Sequence, residues 1–221
     1  DAELVSRELD IALTSRSRDR SGNRIPLAGV PHDAVEGYIA RLLEKGYRVA
    51  VCDQVEDASA AKGIVKRAVV RVVTPGTAMD AAMVEPLGSR YLAGIWADGK
   101  ADRAGLAFLD TSTGEFFLSS CGAHDGLADL RSEIVRYRPA EAVVPPALPA
   151  GVKALLEAEG VVLTTFREEA FHPDAAARAL LGHFGADTLA GFGCAEYPEA
   201  MRAAGAALQY AKETMHSPLG H

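Results

Sequence analysis

The side chains of this 221-residue chain best suited to ligand chemistry are cationic and lie close together near its start. Four arginines share one polar stretch: Arg16, Arg18, Arg20 and Arg24. The stretch carries Gly22-Asn23 and reads as a hairpin or exposed loop. Such a cluster fits contact with nucleic-acid phosphates, which positions a protein without reading base sequence. It equally fits a solvated surface, and the spacing leaves both interpretations open.

The arginines are followed by an apolar stretch, Ile25-Pro26-Leu27, and Pro26 and Pro31 stiffen the chain around Gly29. Apolar side chains in such a turn-rich segment can simply pack onto the core. Alternatively, they can act as a wedge against the minor groove of DNA, where apolar side chains help to kink the duplex. Spacing does not decide between these alternatives.

The surrounding pattern predicts a small mixed α/β domain over residues 1–78. Apolar spacing predicts a helix over 2–9 and a short strand over 10–15. Asp33 and Glu36 have the spacing of a capping box, and Gly46 is placed to end the helix that follows. A buried strand is predicted over 47–55 and another over 68–74.

The second half has a clearer order of elements. Three strands are predicted at 91–97, 104–110 and 115–119, followed by a helix, a strand at 141–144, a helix at 152–159 and a strand at 161–166. Further helices are expected near 173–184 and 197–213. This βββαβα order predicts a ribonuclease H-like domain with extra helices over 85–200, after a linker at 79–84.

A ribonuclease H-like fold raises the possibility of a metal-dependent nuclease that uses Asp110, at the end of the second of these strands. The other acids fall mostly on helices and loops: Asp125, Asp129, Glu133, Glu141 and Glu157. No predicted strand places a second carboxylate beside Asp110. The competing interpretation is that Asp110 begins an Asx or type I turn that runs to Gly114.

Charge and cysteine content narrow the classes of function. Residues 1–79 hold 12 Lys and Arg against 11 Asp and Glu, whereas residues 80–221 hold 11 against 19. Only the first segment could contact phosphates, through local patches. Three widely spaced cysteines predict neither a disulfide framework nor a zinc site, and favour the cytoplasm. No apolar run could span a membrane, and the start at Asp1 suggests a fragment.

Ordered motifs along the whole chain resemble the N-terminal region of MutS-family DNA mismatch repair proteins. In the first segment they include Ile25-Pro-Leu-Ala-Gly-Val-Pro31, Val49-Ala-Val-Cys-Asp-Gln-Val55 and Val69-Val-Arg-Val-Val-Thr-Pro-Gly-Thr77. In the second they include Asp110-Thr-Ser-Thr-Gly-Glu-Phe116, Leu189-Ala-Gly-Phe-Gly193 and Leu208-Gln-Tyr-Ala-Lys-Glu-Thr214. The resemblance implies a mismatch-binding domain over 1–78, a connector domain without nuclease activity over 85–200, and the start of a helical core at 201–221.

The resemblance also implies partners: double-stranded DNA with mismatches or small loops, and a MutL-type protein bound through the connector. The parent protein would be a homodimeric ATPase that uses ATP and Mg²⁺, and this piece a monomer. Neither the ATPase nor any catalytic, cofactor or metal residue is expected within the 221 residues.

Site residues follow from the same resemblance. The family reads mismatches with a Phe-x-Glu motif that would lie just before Asp1-Ala2, so no residue here takes that role. Arg16 matches a DNA-contacting position, and Pro26, Leu27 and Ala28 match a loop that faces the minor groove. The remaining candidate phosphate contacts are Lys62, Lys66, Arg67 and Arg71.

Overall fold

The computed structural model describes residues 1–56, 65–78, 91–97, 103–122 and 127–215. The N-terminal part, residues 1–78, contains helices α1 (Ala2–Leu9) and α2 (Val35–Glu44) and strands β1 (Leu13–Thr14), β2 (Leu27–Ala28), β3 (Val49–Gln54) and β4 (Arg67–Val73). Lys62, the predicted linker at 79–84 and Asp125 lie outside the described residues. No helix within the described ranges is both long and apolar enough to cross a membrane.

Helix α2 ends where the sequence predicted but begins differently. Gly46, with φ of 79°, donates its N–H to the Leu43 carbonyl, while the Tyr47 N–H reaches the Leu42 carbonyl. This pair of bonds is a Schellman motif. The predicted capping box is wrong, because a 3-10 turn at His32–Ala34 precedes α2 and makes no side-chain capping bond. Glu36 instead pairs with Arg71 across the domain.

Strands β3 and β4 form a two-stranded antiparallel ribbon, and the expectation that β3 is buried is wrong. Only alternate side chains of β3 are covered, because α2 packs on a single face of the ribbon. Val49 and Val51 contact the cluster formed by Ile39 and Leu43 of α2. The stretch 52–55 is exposed, so this end of the ribbon offers its surface to solvent.

The C-terminal part, residues 91–215, is built on a five-stranded mixed sheet. Its strands are β5 (Leu92–Ala97), β6 (Arg103–Leu109), β7 (Phe116–Gly122), β8 (Glu141–Val144) and β9 (Val162–Thr165), in the order β7-β6-β5-β8-β9. β6 is antiparallel to both neighbours, whereas β5, β8 and β9 run parallel. This is the ribonuclease H-like arrangement, so the predicted fold class is confirmed.

Helices cover both faces of this sheet: α3 (Ala128–Tyr137), α4 (Ala150–Ala158), α5 (Pro173–Phe184) and α6 (Pro198–Met215). α3 and α4 pack on one face through buried residues such as Leu130 and Leu156. α6 crosses β5 and β6 on the other face, with α5 beside it. Alternation along β5 explains this double layer, since Ala93 and Ile95 point to the first face and Leu92 to the second.

Candidate nucleic-acid interface

The four clustered arginines, of which Arg16 is the predicted DNA contact, lie on a β-hairpin that projects from β1 and β2. Leu13 pairs with Ala28 and Thr14 with Leu27 at the base of the hairpin. Further out, Arg18 and Arg24 form an antiparallel bridge. The predicted hairpin is therefore present, but Leu27 and Ala28 belong to a short strand rather than to a free loop.

Asp19 shapes the tip of this hairpin, a role that sequence analysis did not assign. Its Oδ1 atom accepts hydrogen bonds from the N–H groups of Ser21 (2.9 Å) and Asn23 (2.8 Å). The bond from the Asn23 N–H is the main reason why the pKa of Asp19 is lowered. Arg18 donates to the Gly22 carbonyl at 2.6 Å. An Asp four residues before Asn in a Ser-Gly-rich turn is the sequence signal that could have predicted this arrangement.

The hairpin exposes apolar and cationic side chains together. Leu13, Ile25 and Leu27 are 49%, 46% and 41% exposed, although each is a large hydrophobic residue. Pro26 and Arg16 are exposed as well, and Ala28 is half-buried. The apolar stretch is thus not packed onto the core, which was one of the two interpretations of the sequence.

Helix α1, which leads into the hairpin, is held against α2 by side-chain hydrogen bonds. Arg41 of α2 donates to the Leu9 carbonyl at 3.1 Å, and Lys45 donates to the Glu8 carbonyl at 2.8 Å and carboxylate at 2.9 Å. The bond from Lys45 is the main reason why the pKa of Glu8 is lowered. These contacts hold α1 against α2, and they use two cations of the N-terminal part for structure rather than for ligand binding.

The cations predicted on the β3–β4 ribbon separate into two kinds. Lys66 and Arg67 are exposed where the ribbon opens, with the Lys66 carbonyl accepting the Val55 N–H. Arg71 lies further along β4, half-buried, and its guanidinium forms an ion pair with Glu36 of α2. Sequence analysis gave Lys66, Arg67 and Arg71 the same expected role. The position of α2 separates them, because only Arg71 lies next to Glu36 of that helix.

Asp110, the candidate nuclease carboxylate, is engaged in a turn. Its Oδ1 atom accepts hydrogen bonds from the Ser112 N–H (2.8 Å), the Ser112 hydroxyl (2.6 Å) and the Thr113 N–H (3.2 Å). The Gly114 N–H reaches the Asp110 carbonyl at 2.9 Å. The turn interpretation is confirmed. Burial opposes ionisation, but these bonds outweigh it and lower the pKa of Asp110.

We expect Asp110→Asn to be less stable than the parent chain by about 1–2 kcal/mol at pH 7, since bonds to a charged acceptor are the stronger kind. A lowered native pKa stabilises the fold above the ordinary value of 3.8, and this contribution is lost as pH falls below it. Urea unfolding at pH 7 and pH 3 should therefore show a difference that shrinks with acid. Asp33→Asn, at a fully exposed side chain, should show little difference at either pH.

The other acids weighed for a nuclease site do not gather around Asp110. Asp129 and Glu133 lie on α3, and Glu157 lies on α4. Glu141 is the first residue of β8, on the far side of β5 from β6, and its carboxylate is bonded elsewhere. Among the described residues, no group of three or more His, Cys, Asp or Glu is placed to hold a metal ion.

The three cysteines are free thiols: Cys52 is exposed, Cys121 is half-buried and Cys194 is buried. Burial, with smaller effects from Asp129 and Glu133, raises the pKa of Cys121 to about 11. Cys194 lies 3.7 Å from the Leu189 carbonyl as a weak donor, in agreement with the structural role predicted for it.

Comparison with known proteins covers both parts of the chain. Residues 1–82 match the family model described as MutS domain I, and residues 90–221 match MutS domain II. Two curated relatives named DNA mismatch repair protein MutS, from Symbiobacterium thermophilum and Methanococcoides burtonii, are 45% and 43% identical over 100% of this chain. The chain spans about a quarter of each relative's length, 25% in both cases.

One solved structure, titled T. thermophilus RuvC in complex with Holliday junction substrate, covers 56% of this chain and 94% of its own. Its sequence identity is 16% and its TM-score 0.41. The fold assignment rests on the observed strand order and not on this likeness. The two family models, which together extend over nearly all residues, place the chain in the MutS family of DNA mismatch repair proteins.

Proposed function

We propose that the N-terminal part binds double-stranded DNA that contains mismatches or small loops. Arg16 and the neighbouring hairpin arginines contact phosphates, and Pro26, Leu27 and Ala28 face the minor groove. Lys66 and Arg67 extend the contact along the ribbon, with Lys62 as a further candidate. Arg71 supports this surface through its ion pair with Glu36 rather than by direct contact.

The observation that carries the proposal is the shared exposure of apolar and cationic side chains on one anchored hairpin. Single exposed apolar residues are ordinary, whereas a group of exposed large hydrophobic residues bordered by cationic side chains is typical of an interaction surface. Minor-groove binding uses both kinds of side chain, since arginines neutralise phosphates while apolar wedges enter between base steps. Membership of a mismatch repair family makes DNA the natural ligand.

We propose further that the C-terminal part performs no catalysis and links the DNA-binding part to the remainder of a longer protein. That protein would use ATP and Mg²⁺ in a domain outside these residues, act as a homodimer in the cytoplasm, and dock a MutL-type partner on the connector. The acidic C-terminal part suits protein contact better than phosphate contact. Pull-down by the partner, with and without residues 85–200, tests this docking.

The DNA proposal predicts a change in salt dependence. In a variant with Arg16, Arg18, Arg20 and Arg24 all replaced by Gln, the magnitude of the slope of log K against log salt should fall by about 3.6, at ~0.9 for each of the four lost phosphate contacts. Binding of duplex DNA with one mismatch is measured by fluorescence anisotropy at several salt concentrations. The proposal excludes a nuclease, so Mg²⁺ or Mn²⁺ should produce no cleavage.

The matched control removes four exposed cations from the C-terminal part, by replacing Arg131, Arg136, Lys153 and Arg178 with Gln. Its net charge changes by the same amount, so a general charge effect would lower both slopes equally. A slope that is unchanged in the hairpin variant would contradict the proposal, as would cleavage that disappears in Asp110→Asn.

A further inference from the structure

Glu141 is a fully buried carboxylate that the proposed DNA contact does not use. Its Oε1 atom accepts hydrogen bonds from the hydroxyls of Thr164 (2.6 Å) and Tyr210 (2.7 Å). Its Oε2 atom accepts the backbone N–H of Gly76 at 3.0 Å. The first two donors belong to β9 and α6 of the C-terminal part. The third belongs to the N-terminal part, in the turn that follows β4.

A carboxylate at this position has a cost that packing alone does not explain. Burying a charge is unfavourable unless several donors satisfy it, and an apolar residue of similar volume would fill the space. The three hydrogen-bond donors to Glu141 compensate for this cost. Burial and the negative charge of Glu141 raise the pKa of Tyr210, so its hydroxyl stays protonated and able to donate.

The turn after β4 is buried against the C-terminal part. Thr74 and Thr77 are buried, with their hydroxyls 2.8 Å apart. A Cβ atom added at Gly76 would lie 2.8 Å from Leu92 Cδ1 and 2.9 Å from Glu141 Cβ. Only a residue without a side chain lets the backbone approach the sheet this closely.

Two further contacts lie at the same interface between the N-terminal and C-terminal parts. A Cβ atom at Gly46, after α2, would lie 3.2 Å from Val162 of β9. The side chains of Thr74 and Arg48, both from the N-terminal part, act to lower the pKa of Tyr210 and therefore lie near its hydroxyl. The N-terminal part therefore meets the start of strands β8 and β9 through two turns, and Glu141 is the buried carboxylate bonded to one of them.

We propose that Glu141 is a positioning residue that fixes the orientation of the N-terminal part, and so of the DNA-contacting hairpin, against the end of the sheet where β8 and β9 begin. The geometry gives the reason. A single carboxylate bonds the turn of one part and two elements of the other, so a rotation between the parts must break at least one bond to a buried charge. The consequence for DNA rests on the proposed function, whereas the orientation itself does not.

The test measures distances in the whole chain without DNA. Cys52 is exposed on β3 and takes one spin label, and Ala154→Cys on the exposed side of α4 takes the other, in a background with Cys121→Ser. The parent chain should give one narrow distance distribution. Glu141→Gln keeps the volume but loses the charge and one acceptor oxygen, and the distribution should widen about twofold, as expected for parts released to move.

Two companion variants keep the test decisive. Gly76→Ala disturbs the same interface through a residue of the N-terminal part. It should widen the distance distribution even if Glu141→Gln disturbs the sheet. Glu196→Gln removes an exposed carboxylate and should leave the distribution unchanged. Fluorescence of Trp96, the one tryptophan in the chain, reports whether the C-terminal sheet remains folded in each variant.

A narrow, unshifted distribution in Glu141→Gln, with Trp96 emission native, would overturn the inference, whatever Gly76→Ala shows. A wide distribution in Glu141→Gln with native Trp96 emission supports it, and if that variant loses native emission, a wide distribution in Gly76→Ala supports it and a narrow one overturns it. Because no DNA is present, this result is independent of the salt-slope experiment. Failure of the orientation proposal and failure of the DNA proposal are therefore distinguishable.

Discussion

Gly105→Ala is expected to lower the free energy of unfolding by about 3 kcal/mol, at the upper end for overpacking. A Cβ atom there would lie 2.0 Å from the carbonyl carbon of Glu199 and 2.1 Å from its oxygen. Both are backbone atoms of the first turn of α6 and cannot rotate away. The helix must shift off the sheet, which separates the alanines that it buries against β5 and β6.

Urea unfolding followed by Trp96 fluorescence measures this effect, because Trp96 is the cross-strand partner of Gly105. Gly182→Ala on α5 is the matched control, since a Cβ atom there has nothing within 4 Å. That substitution should raise stability by about 0.5–1 kcal/mol, as glycine is the poorer helix former. Equal responses at the two sites would contradict the close approach of α6 to the sheet.

Phe108→Ala is expected to cost about 3–5 kcal/mol, the range for deleting a buried aromatic ring. Phe108 is fully buried on β6 and stacks on Tyr137 of α3 with ring centroids 4.1 Å apart. Tyr91 meets the same ring edge to face at 6.3 Å. The substitution leaves a cavity between the sheet and α3 that Tyr91 cannot fill without breaking the hydrogen bond from its hydroxyl to Glu115.

Phe117→Ala on β7 is the control for this cavity. Phe117 pairs directly with Phe108 across the two strands, yet it is 40% exposed. Its loss should cost about 1 kcal/mol, since water already reaches one side of the ring. Thermal unfolding by circular dichroism compares the two variants, and an equal cost would show that Phe108 is not the centre of the core.

The order of elements in the C-terminal part was predictable from local pattern alone. Alternating apolar residues marked the strands, and Pro139 and Gly114 marked where elements end. The βββαβα order left few allowed connections and predicted a ribonuclease H-like sheet, and the structure confirms that fold class with the strand order β7-β6-β5-β8-β9. The boundaries of the predicted domains and linker remain predictions, as does the start of a helical core at residue 201.

Two local predictions in the N-terminal part were wrong for one reason. Asp33 and Glu36 have capping-box spacing, but the Glu36 carboxylate finds a stronger partner in Arg71, a residue 35 positions away. Strand β3 is rich in valine, but among the described helices only α2 packs on it, and from one side. In both cases a distant element, invisible to a local pattern, set the outcome.

In the candidate DNA surface, too, local sequence pattern predicted some features and distant contacts decided others. Residue type and turn signals identified Arg16, Pro26 and Leu27, and the family resemblance supplied their expected roles. Neither could show that Ile25 and Leu27 are exposed beside arginines, nor that Arg71 is held by Glu36. The exposure of these side chains and the ion pair depend on segments that come together only when the hairpin and α2 pack.

By itself, the sequence determined the order of elements in the C-terminal part, the family, and which segment is free of a large excess of negative charge. The tertiary structure decided which cations remain exposed and how the two parts meet at Glu141, whose donors Gly76, Thr164 and Tyr210 are 65, 23 and 69 residues away. Periodicity and turn chemistry act over a few residues. Burial and hydrogen bonding of a side chain depend on elements that only folding brings together.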